Sequence, residues 1–519
     1  MSIKSGALLL FVCACSLQNL RAQSYPETAL TFSRISPAGS SRMIGIGGAG
    51  VSLGGDPSSA YLNPAGLGMF NKGEFAFSLG YGDTNSTSNY LNTQTGSDKT
   101  TLNIPFMGFS LQGPLNHEKI ISGTLGVSFN RLNDFNQTIA YSGRNTNNSI
   151  IDYFLNDAYD EEGAPIDPRD LFIPTNLAFE SYLIDTITVN GLTDYWSALG
   201  LLPDPQDFRN VTQSETITTK GAQTQWTFSY GINVADKFFA GAGIGIRKIR
   251  YESRKSFQES DFEFQDTDYN PLNSFRLDET LTVDGSGTNF QLGFIARPVQ
   301  GLQAGVSWES PTYYEIADVY SASVNADWNN FDYYQNGSLR LNEVTAQLDE
   351  GLVTEYKLRT PGRITAGLSY IFGKRGFITA EAETVNYNNT KYTSLLQGVS
   401  FDSDNATIKT LYRPAVNYRA GGEVRVDRMR FRAGGFYRED PFQSVQNNVS
   451  RKIIGITGGI GYREKKYYTD LSISYTQGDQ SYRPYRVPGD ASPLVKTSMN
   501  QLFIQATLGL LMADPDSSY

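Results

Sequence analysis

The stretch Thr224-Gln-Trp-Thr-Phe-Ser-Tyr-Gly-Ile-Asn-Val234 alternates apolar and polar side chains at every second position. A period of two is typical of a β-strand, because successive side chains of a strand point to opposite faces. The same period recurs in Val416–Asp427 and Gln501–Leu510. In these stretches the apolar face is continuous, while Arg, Glu and Gln lie on the other face. We therefore interpret the apolar face as the outer face of a membrane strand.

Fourteen segments with this period follow one another along the chain: 74–81, 106–112, 122–130, 223–234, 238–250, 287–297, 301–309, 361–372, 376–387, 416–427, 429–437, 452–463, 467–477 and 499–511. Connections after even-numbered segments are short, and those after odd-numbered segments are long. This alternation is typical of a transmembrane barrel whose short turns are periplasmic. An even count closes an antiparallel ring without a free edge. The sequence predicts an all-β, 14-stranded antiparallel transmembrane barrel over 73–519, with both termini periplasmic.

The composition fits a barrel and excludes several classes of site. Tyr (31), Phe (30) and Gly (50) are abundant, and charged residues make up only 18% of the chain. The net charge of −10 argues against nucleic acid as a partner, because phosphate contacts need a basic face. His117 is the single histidine, and the two cysteines lie at Cys13 and Cys15. We therefore expect no metal site, no cofactor and no catalytic residue.

The N-terminus has the pattern of a secretory signal. Lys4 precedes a short apolar run, Gly6–Leu17, that is too short to span a bilayer. We place the signal peptide at 1–22, with cleavage after Ala22. The alternative is a lipoprotein signal with Cys15 as the lipidated residue.

Residues 23–72 are rich in Gly, Ser and Ala but carry scattered apolar side chains. The segment is too apolar for a periplasmic tail, and it is too rich in glycine for a strand or a stable helix. We predict that it folds into the lumen of the barrel as a hatch.

One part of this segment resembles a known family. The stretch Arg42-Met-Ile-Gly-Ile-Gly-Gly-Ala-Gly-Val-Ser-Leu-Gly-Gly-Asp-Pro-Ser-Ser-Ala-Tyr-Leu-Asn-Pro-Ala-Gly66 resembles the N-terminal hatch of the FadL/TodX outer-membrane transporters. Asn63, Pro64 and Ala65 match the hatch tripeptide of that family, and Gly66 follows it. Gly301–Pro311 and Thr360–Tyr370 add to the resemblance.

The resemblance implies a 14-stranded barrel with an N-terminal hatch, in the outer membrane of a Gram-negative bacterium. It implies passive, hatch-gated lateral diffusion of a hydrophobic small-molecule ligand, either long-chain fatty acids or aromatic hydrocarbons. Outer-membrane lipid, lipopolysaccharide and the barrel-assembly machinery are the other implied partners. The alternative is a protein-binding barrel that resembles the carrier component of type IX secretion.

Two short motifs in the same segment point to enzymes, and we reject both. Gly45–Gly50 fits G-x-G-x-x-G, but no strand precedes it and no helix pattern follows it. Gly50–Gly54 fits the nucleophile elbow G-x-S-x-G, but its only possible histidine partner, His117, lies in a predicted periplasmic turn. Closely spaced glycines in a hatch explain both matches.

Arginines on the polar face of the tenth and eleventh strands would point into the lumen: Arg419, Arg425, Arg430 and Arg432. They form either a salt-bridge network that braces barrel and hatch or a patch that receives the carboxylate of an amphiphile. Gly123 and Gly126 on the third strand are candidates for a lateral gate, since glycine tolerates a break in a strand ladder. The resemblance points to the same strand.

The longest predicted loop, about 131–222, follows the third strand and could cap the outer mouth. Helical spacing is visible near Ile151–Asp160 and Pro174–Gly200. Acidic residues gather at Asp157–Glu162 and Glu259–Asp268. We expect both acidic stretches to be solvated loops, with a divalent-cation site as the alternative.

Overall fold

The structure is a computed structural model that describes residues 25–115, 119–189, 191–197, 199, 208–264, 270–488 and 492–512. The predicted signal peptide, 1–22, and His117 lie outside the described residues.

The predicted barrel is confirmed. Each strand pairs antiparallel with the next, and the last strand closes on the first from Glu74↔Leu511 to Tyr90↔Val495. The barrel strands are β1 (Glu74–Tyr90), β2 (Phe106–Pro114), β3 (Ile120–Asp134), β4 (Phe208–Val234), β5 (Phe238–Phe264), β6 (Leu272–Val299), β7 (Leu302–Glu309), β8 (Arg363–Ile371), β9 (Gly376–Asn386), β10 (Pro414–Val426), β11 (Met429–Arg438), β12 (Ile453–Arg463), β13 (Tyr467–Tyr482) and β14 (Val495–Leu511). The turns that follow the even-numbered strands, such as β2–β3 and β4–β5, are short and lie at one end of the barrel. We call this end the short-turn end and the opposite end the long-loop end.

An apolar band surrounds the barrel next to the short-turn end. On β5 the side chains of Ile244 and Ile246 point outward and are 48% and 49% exposed. Further along the same strand the pattern inverts, because Lys248 and Arg250 are exposed while Ile249 is fully buried. An outward apolar band with polar residues beyond it is the surface of a membrane barrel.

Several strands extend well beyond this band. β4, β5 and β6 are 27, 27 and 28 residues long, whereas about 9–11 residues cross a bilayer. The predicted 131–222 loop is therefore shorter, since β3 ends at Asp134 and β4 begins at Phe208. Six accessory strands join the sheet at the long-loop end, and two form a separate hairpin: Thr93–Asn103, Gln137–Asn145, Thr312–Asp332, Arg340–Gln347, Leu352–Thr360 and Lys391–Ser394, then Asp185–Val189 with Leu192–Trp196.

The helices of the chain are short: α1 (Tyr25–Ser33), α2 (Ser41–Gly45), α3 (Ser59–Leu62), α4 (Ile150–Asp157), α5 (Thr175–Glu180) and α6 (Asp402–Leu411), with 3-10 turns at Pro64–Met69, Pro168–Asp170 and Tyr387–Asn389. Among the described residues, no helix is long and apolar enough to cross a membrane.

The long-loop end carries a cap with its own hydrophobic core. Helices α4 and α5 pack there against Phe275, Trp328 and Tyr485, which come from extended strands and a late loop. Glu259, predicted in a solvated acidic loop, is instead buried in the extension of β5 and accepts the Ile150 N–H at 2.9 Å. Its carboxylate lies at the start of α4, where the free N–H groups of a helix favour a negative charge.

The N-terminal segment, residues 25–72, runs from the long-loop end to the short-turn end. Tyr25 contacts Tyr356 and Tyr392 beyond the long-loop end of the membrane band, whereas Met69 lies against Arg297, near the short turn that follows β6. The prediction that both termini are at the short-turn end is therefore wrong for residue 25, because the apolar face of α1 is buried among aromatic side chains of the opposite end. The prediction that this segment has no stable helix is also wrong, since packing against the barrel wall offsets its weak helical propensity.

Candidate functional site in the barrel lumen

The Asn63 turn joins the N-terminal segment to the barrel wall. Asn63 is fully buried, and its Oδ1 accepts the Ala65 N–H at 3.1 Å, so it caps the 3-10 turn Pro64–Met69. Its Nδ2 donates to the Val51 carbonyl at 2.6 Å and lies 3.3 Å from the Val306 carbonyl of β7. One side-chain amide therefore holds two parts of the segment and one strand of the wall.

A row of inward-facing glycines lets the segment approach the wall closely. A Cβ atom at any of nine of them would stand between 1.9 and 2.7 Å from an atom of the segment. Atoms cannot approach so closely, so no side chain fits at these positions without displacing the segment. We call these residues the glycine girdle: Gly108, Gly126, Gly231, Gly241, Gly293, Gly305, Gly367, Gly421 and Gly434. Sequence analysis missed the girdle, although each of these glycines occupies a position whose neighbours two residues away point into the lumen.

Inward charges on β5, β7, β8, β9 and β10 form one chain of ion pairs. Arg247 lies 2.7 Å from Glu309, which lies 3.2 Å from Arg363. Arg363 in turn lies 3.6 Å from Glu383, and Glu383 lies 3.2 Å from Arg419. All five side chains are at most 10% exposed. Such buried charges must be paired, since each would cost several kcal/mol if left alone.

The same chain reaches the N-terminal segment. Arg419 donates to Glu381 at 2.7 Å, and Glu381 accepts the Val51 N–H at 2.9 Å. Arg419 thus has two carboxylate partners in the wall of the barrel. Arg419 therefore belongs to an ion-pair network that links the barrel to the N-terminal segment. This is the first of the two roles that the sequence suggested for it.

Arg432 is the centre of a second network. Its side chain is fully buried and donates to Glu423 at 2.8 Å and to Asp470 at 2.7 Å. Arg425 donates to Glu423 at 2.7 Å, and Arg42 of the segment lies 3.8 Å from the same carboxylate. Arg425 and Arg432 therefore belong to an ion-pair network too.

Arg430 differs from the three other predicted arginines. It donates to the carbonyls of Asp427 and Met429, both at 2.8 Å, beside the short β10–β11 turn. No carboxylate of the described residues lies within 4.0 Å of it. The structure thus does not bring the four predicted arginines together as one patch.

The cavity between the first network and the segment is small. Its volume is about 40 Å³, and its wall includes Ile35, Tyr61, Glu309 and Arg419. That volume holds a few water molecules but no long acyl chain.

Helix α1 lies in an aromatic cluster at the long-loop end of the lumen. The Tyr25 ring makes edge contacts with Tyr356, Tyr392 and Phe401 at centroid distances of 5.7, 5.3 and 4.9 Å. Burial raises the pKa of nearby Asp318 to about 6, although hydrogen bonds from Tyr356 and Thr354 oppose the shift. The cluster forms an apolar and aromatic wall at the entrance of the lumen.

Three arginines beside this cluster have no carboxylate partner in the described part of the chain: Arg34, Arg438 and Arg451. Arg438 is 7% exposed, and its hydrogen-bond partner is Ser36 Oγ at 3.5 Å. Arg34 donates to the Arg451 carbonyl at 3.0 Å, and Arg451 donates to the Ser481 carbonyl at 2.6 Å. Within the described residues, no carboxylate oxygen lies within 4.0 Å of any of the three guanidinium groups.

Sequence analysis missed this arginine cluster. Arg438 has the same strand parity as Arg432, so its inward direction was readable from the sequence. Arg34 and Arg451 lie outside regular strands, where no period indicates direction.

The two glycines of β3 lie on opposite faces of the wall. A Cβ at Gly123 would meet the hydroxyl of outward-facing Tyr230, whereas one at Gly126 would meet Leu67 of the segment at 2.7 Å. β3 is paired with β2 from Phe106↔Asn130 to Pro114↔Ser122, so the wall is closed there.

The ladder is interrupted one strand earlier. β1 pairs with β2 only from Glu74↔Ser110 to Phe77↔Met107. From Gly80 onward it pairs with the accessory strand 93–103 instead. Ile104 and Pro105 lie between these two partners of β1, outside both strands.

Solved structures with the same architecture are known. A FadL homologue from Pseudomonas aeruginosa matches with a TM-score of 0.50 and 14% identity, over 92% of this chain and 99% of that chain. This chain shares the fold of that FadL homologue. The resemblance of the sequence to the FadL/TodX family thus holds at the level of the fold.

Two further solved structures match the chain. The toluene transporter TodX from Pseudomonas putida has a TM-score of 0.49 and 11% identity, over 92% of this chain and 99% of that chain. The toluene transporter TbuX from Ralstonia pickettii has a TM-score of 0.46 and 13% identity, over 93% and 100%. No protein-family model and no curated protein sequence matches the chain.

Proposed function

We propose that this chain carries amphiphilic molecules, with an apolar body and an anionic head group, passively across the outer membrane of a Gram-negative bacterium. Long-chain fatty acids fit this description and aromatic hydrocarbons do not. The observation that carries the proposal is the cluster of Arg34, Arg438 and Arg451 beside an aromatic wall, in which Arg438 is buried and the two others are half-buried. Among the described residues, none of the three has a carboxylate partner.

A guanidinium group keeps its charge in a protein, so burial without a carboxylate in contact is costly. The carboxylate of an entering amphiphile would offset that cost through charge-assisted hydrogen bonds. Arg451 also lies over the Phe442 ring at 5.6 Å, and Phe442 belongs to the aromatic cluster around α1. An anionic head at the arginines therefore places the apolar body against aromatic side chains.

In this proposal residues 1–22 are a signal peptide, 23–72 are the hatch and 73–519 are the barrel. The hatch closes the lumen because the glycine girdle holds it against the wall on most sides. A ligand passes when the hatch shifts and then leaves sideways into the bilayer. Ordered ion pairs such as Arg42–Glu423 at 3.8 Å would break and reform during that shift.

The test compares binding of a labelled fatty acid with binding of its methyl ester by the purified protein. R438Q should weaken binding of the acid roughly tenfold or more, because a charge-assisted hydrogen bond is lost. Binding of the ester should stay nearly unchanged. R254Q, which alters a 62% exposed arginine, is the matched control.

Equal loss of acid and ester in R438Q would show that the arginine cluster only supports the fold. Failure of the wild-type protein to bind either compound would reject the transport proposal. Co-purification of a secreted protein domain instead of lipid would favour the protein-carrier alternative.

A further inference from the structure

An apolar groove of about 500 Å³ lies on the outer wall of the barrel, over β11–β14 and β1. Two rows of paired residues cross it. One row contains Phe77, Leu508, Thr469 and Tyr462, and the other contains Leu79, Ala506, Leu471 and Ile460. The groove belongs to the membrane-facing surface, and Arg34, Arg438 and Arg451 do not line it.

The small side chains of Ala506 and Thr469 create the depression. Each has large neighbours on the adjacent strands, such as Leu79 and Leu471 beside Ala506. Tyr462 and Met429 end the groove at the short-turn end, next to the β12–β13 and β10–β11 turns. The groove therefore lies in the membrane leaflet adjacent to the short turns.

The described short turns at and near this groove, which we call its rim, carry more cations than carboxylates, although the whole chain carries a net charge of −10. The β8–β9, β10–β11 and β12–β13 turns expose five cationic side chains near two carboxylates, Asp427 and Glu464. The cations are Lys374, Arg375, Arg428, Lys465 and Lys466. A cluster of this kind at a membrane interface attracts anionic lipid head groups.

Tyr462 connects the apolar groove with the basic rim. Its ring lines the groove, and Arg428 Nη1 donates to its hydroxyl at 3.2 Å. Arg428 also contacts Glu464, whereas Lys465 and Lys466 are exposed beside that pair. Apolar surface and positive charge thus meet at one point of the wall.

We propose that the groove and rim form a binding site for an anionic glycerophospholipid of the leaflet at the short-turn end. One acyl chain lies over Ala506 and Thr469, and the phosphate lies against Lys465 and Lys466. The charge of the rim selects an anionic head group over a zwitterionic one. The shape of the groove orders the acyl chain.

The test uses the full-length protein in nanodiscs with equal amounts of phosphatidylglycerol and phosphatidylcholine. Lipids retained after transfer to detergent are counted by native mass spectrometry. K465Q/K466Q should lower the ratio of retained phosphatidylglycerol to phosphatidylcholine about tenfold, because each lysine near the surface contributes to attraction of an anionic lipid. A506F should fill the groove and lower total retained lipid.

Two matched controls separate the site from general effects. K391Q/K409Q removes two exposed lysines at the long-loop end, and A380F adds an aromatic ring to the outer face of β9. Both should retain phosphatidylglycerol as the wild type does, and a heat-modifiability gel shows that each barrel is folded. No preference for phosphatidylglycerol in the wild type, or equal loss in K391Q/K409Q, would overturn the proposal.

Discussion

Gly293 on β6 lies directly against the side-chain amide of Asn63, so that a Cβ atom at Gly293 would stand 1.9 Å from Asn63 Oδ1. The adjacent girdle residue on β5, Gly241, pairs with Gly293, and a Cβ atom there would stand 2.4 Å from the carbonyl carbon of Pro64. The fit between the Asn63 turn and the wall therefore depends on strand positions that have no side chain.

G293V should displace the Asn63 turn while leaving the barrel closed, because valine is well accepted in strands. We expect a higher single-channel conductance in planar bilayers. G458A is the matched control, since a Cβ there meets its nearest atom at 3.7 Å. Unchanged conductance in G293V would mean that the segment adjusts without opening a path.

Deletion of residues 25–70 should raise the conductance more than G293V does, since it removes the whole segment from the lumen. N63A should have an intermediate effect, because it removes the hydrogen bonds to Ala65 and Val51 and leaves buried groups unpaired. A deletion variant that folds and conducts like the wild type would show that the segment does not restrict passage.

R432Q should destabilise the barrel by about 3–5 kcal/mol, because it leaves Glu423 and Asp470 buried without their shared partner. Urea unfolding in lipid vesicles measures the change. R276Q, at a side chain 53% exposed, should change stability by less than about 1 kcal/mol. Equal effects of both variants would contradict a structural role for the network.

Release of a greasy ligand into water would cost about 0.8 kcal/mol per CH₂ group, so exit through the wall is favoured. The ladder between β2 and β3 is complete in this structure, so a gate there has to open it. A disulfide between Leu111→Cys on β2 and Leu125→Cys on β3, which are paired residues, should therefore stop uptake of a labelled fatty acid. Reduction should restore uptake. The pair A380C/A420C across β9 and β10 is the control. Normal uptake by the oxidised L111C/L125C barrel would exclude a gate between β2 and β3.

Orientation in the membrane can be tested with single cysteines. N389C lies at the long-loop end and K374C in the β8–β9 turn, and both positions are exposed. An impermeant thiol reagent should label N389C on intact cells and K374C only after lysis. The reverse pattern would invert the proposed topology.

The membrane part of each strand was predictable, but its extension was not. Ile244 and Ile246 share the outward parity of β5, which is the signal that sequence analysis used. Beyond the band the apolar face turns inward, because water lies outside. Ile249 packs in the aromatic cluster around α1, and Phe257 packs in the cap core. When the apolar side chains of one strand change from the outer to the inner face, the alternating pattern is interrupted as it is at the end of a strand. The prediction for β5 therefore stopped at residue 250, although the strand continues to Phe264.

The sequence predicted which side chains point into the lumen and where the hatch motif lies. It did not predict which residues form ion pairs with one another. Parity indicates that Arg432 points inward, yet only the strand register shows that Glu423 and Asp470 meet it. Gly123 and Gly126 are three residues apart and so occupy opposite faces, which the sequence already implies. The arginine cluster combines Arg34 of the N-terminal segment with Arg438 and Arg451 at the β11–β12 connection, and no local pattern relates these two distant regions.

The course of the N-terminal segment has a consequence for biogenesis. Residue 25 is at one mouth of a closed ring, the segment enters β1 at the other, and β1 itself forms the last seam with β14. The N-terminal segment thus passes through the closed barrel from one end to the other. Once β1 and β14 are paired, the segment cannot enter the lumen through the wall. The segment must therefore either precede seam closure and act as a core around which the wall folds, or slide lengthwise through a finished pore.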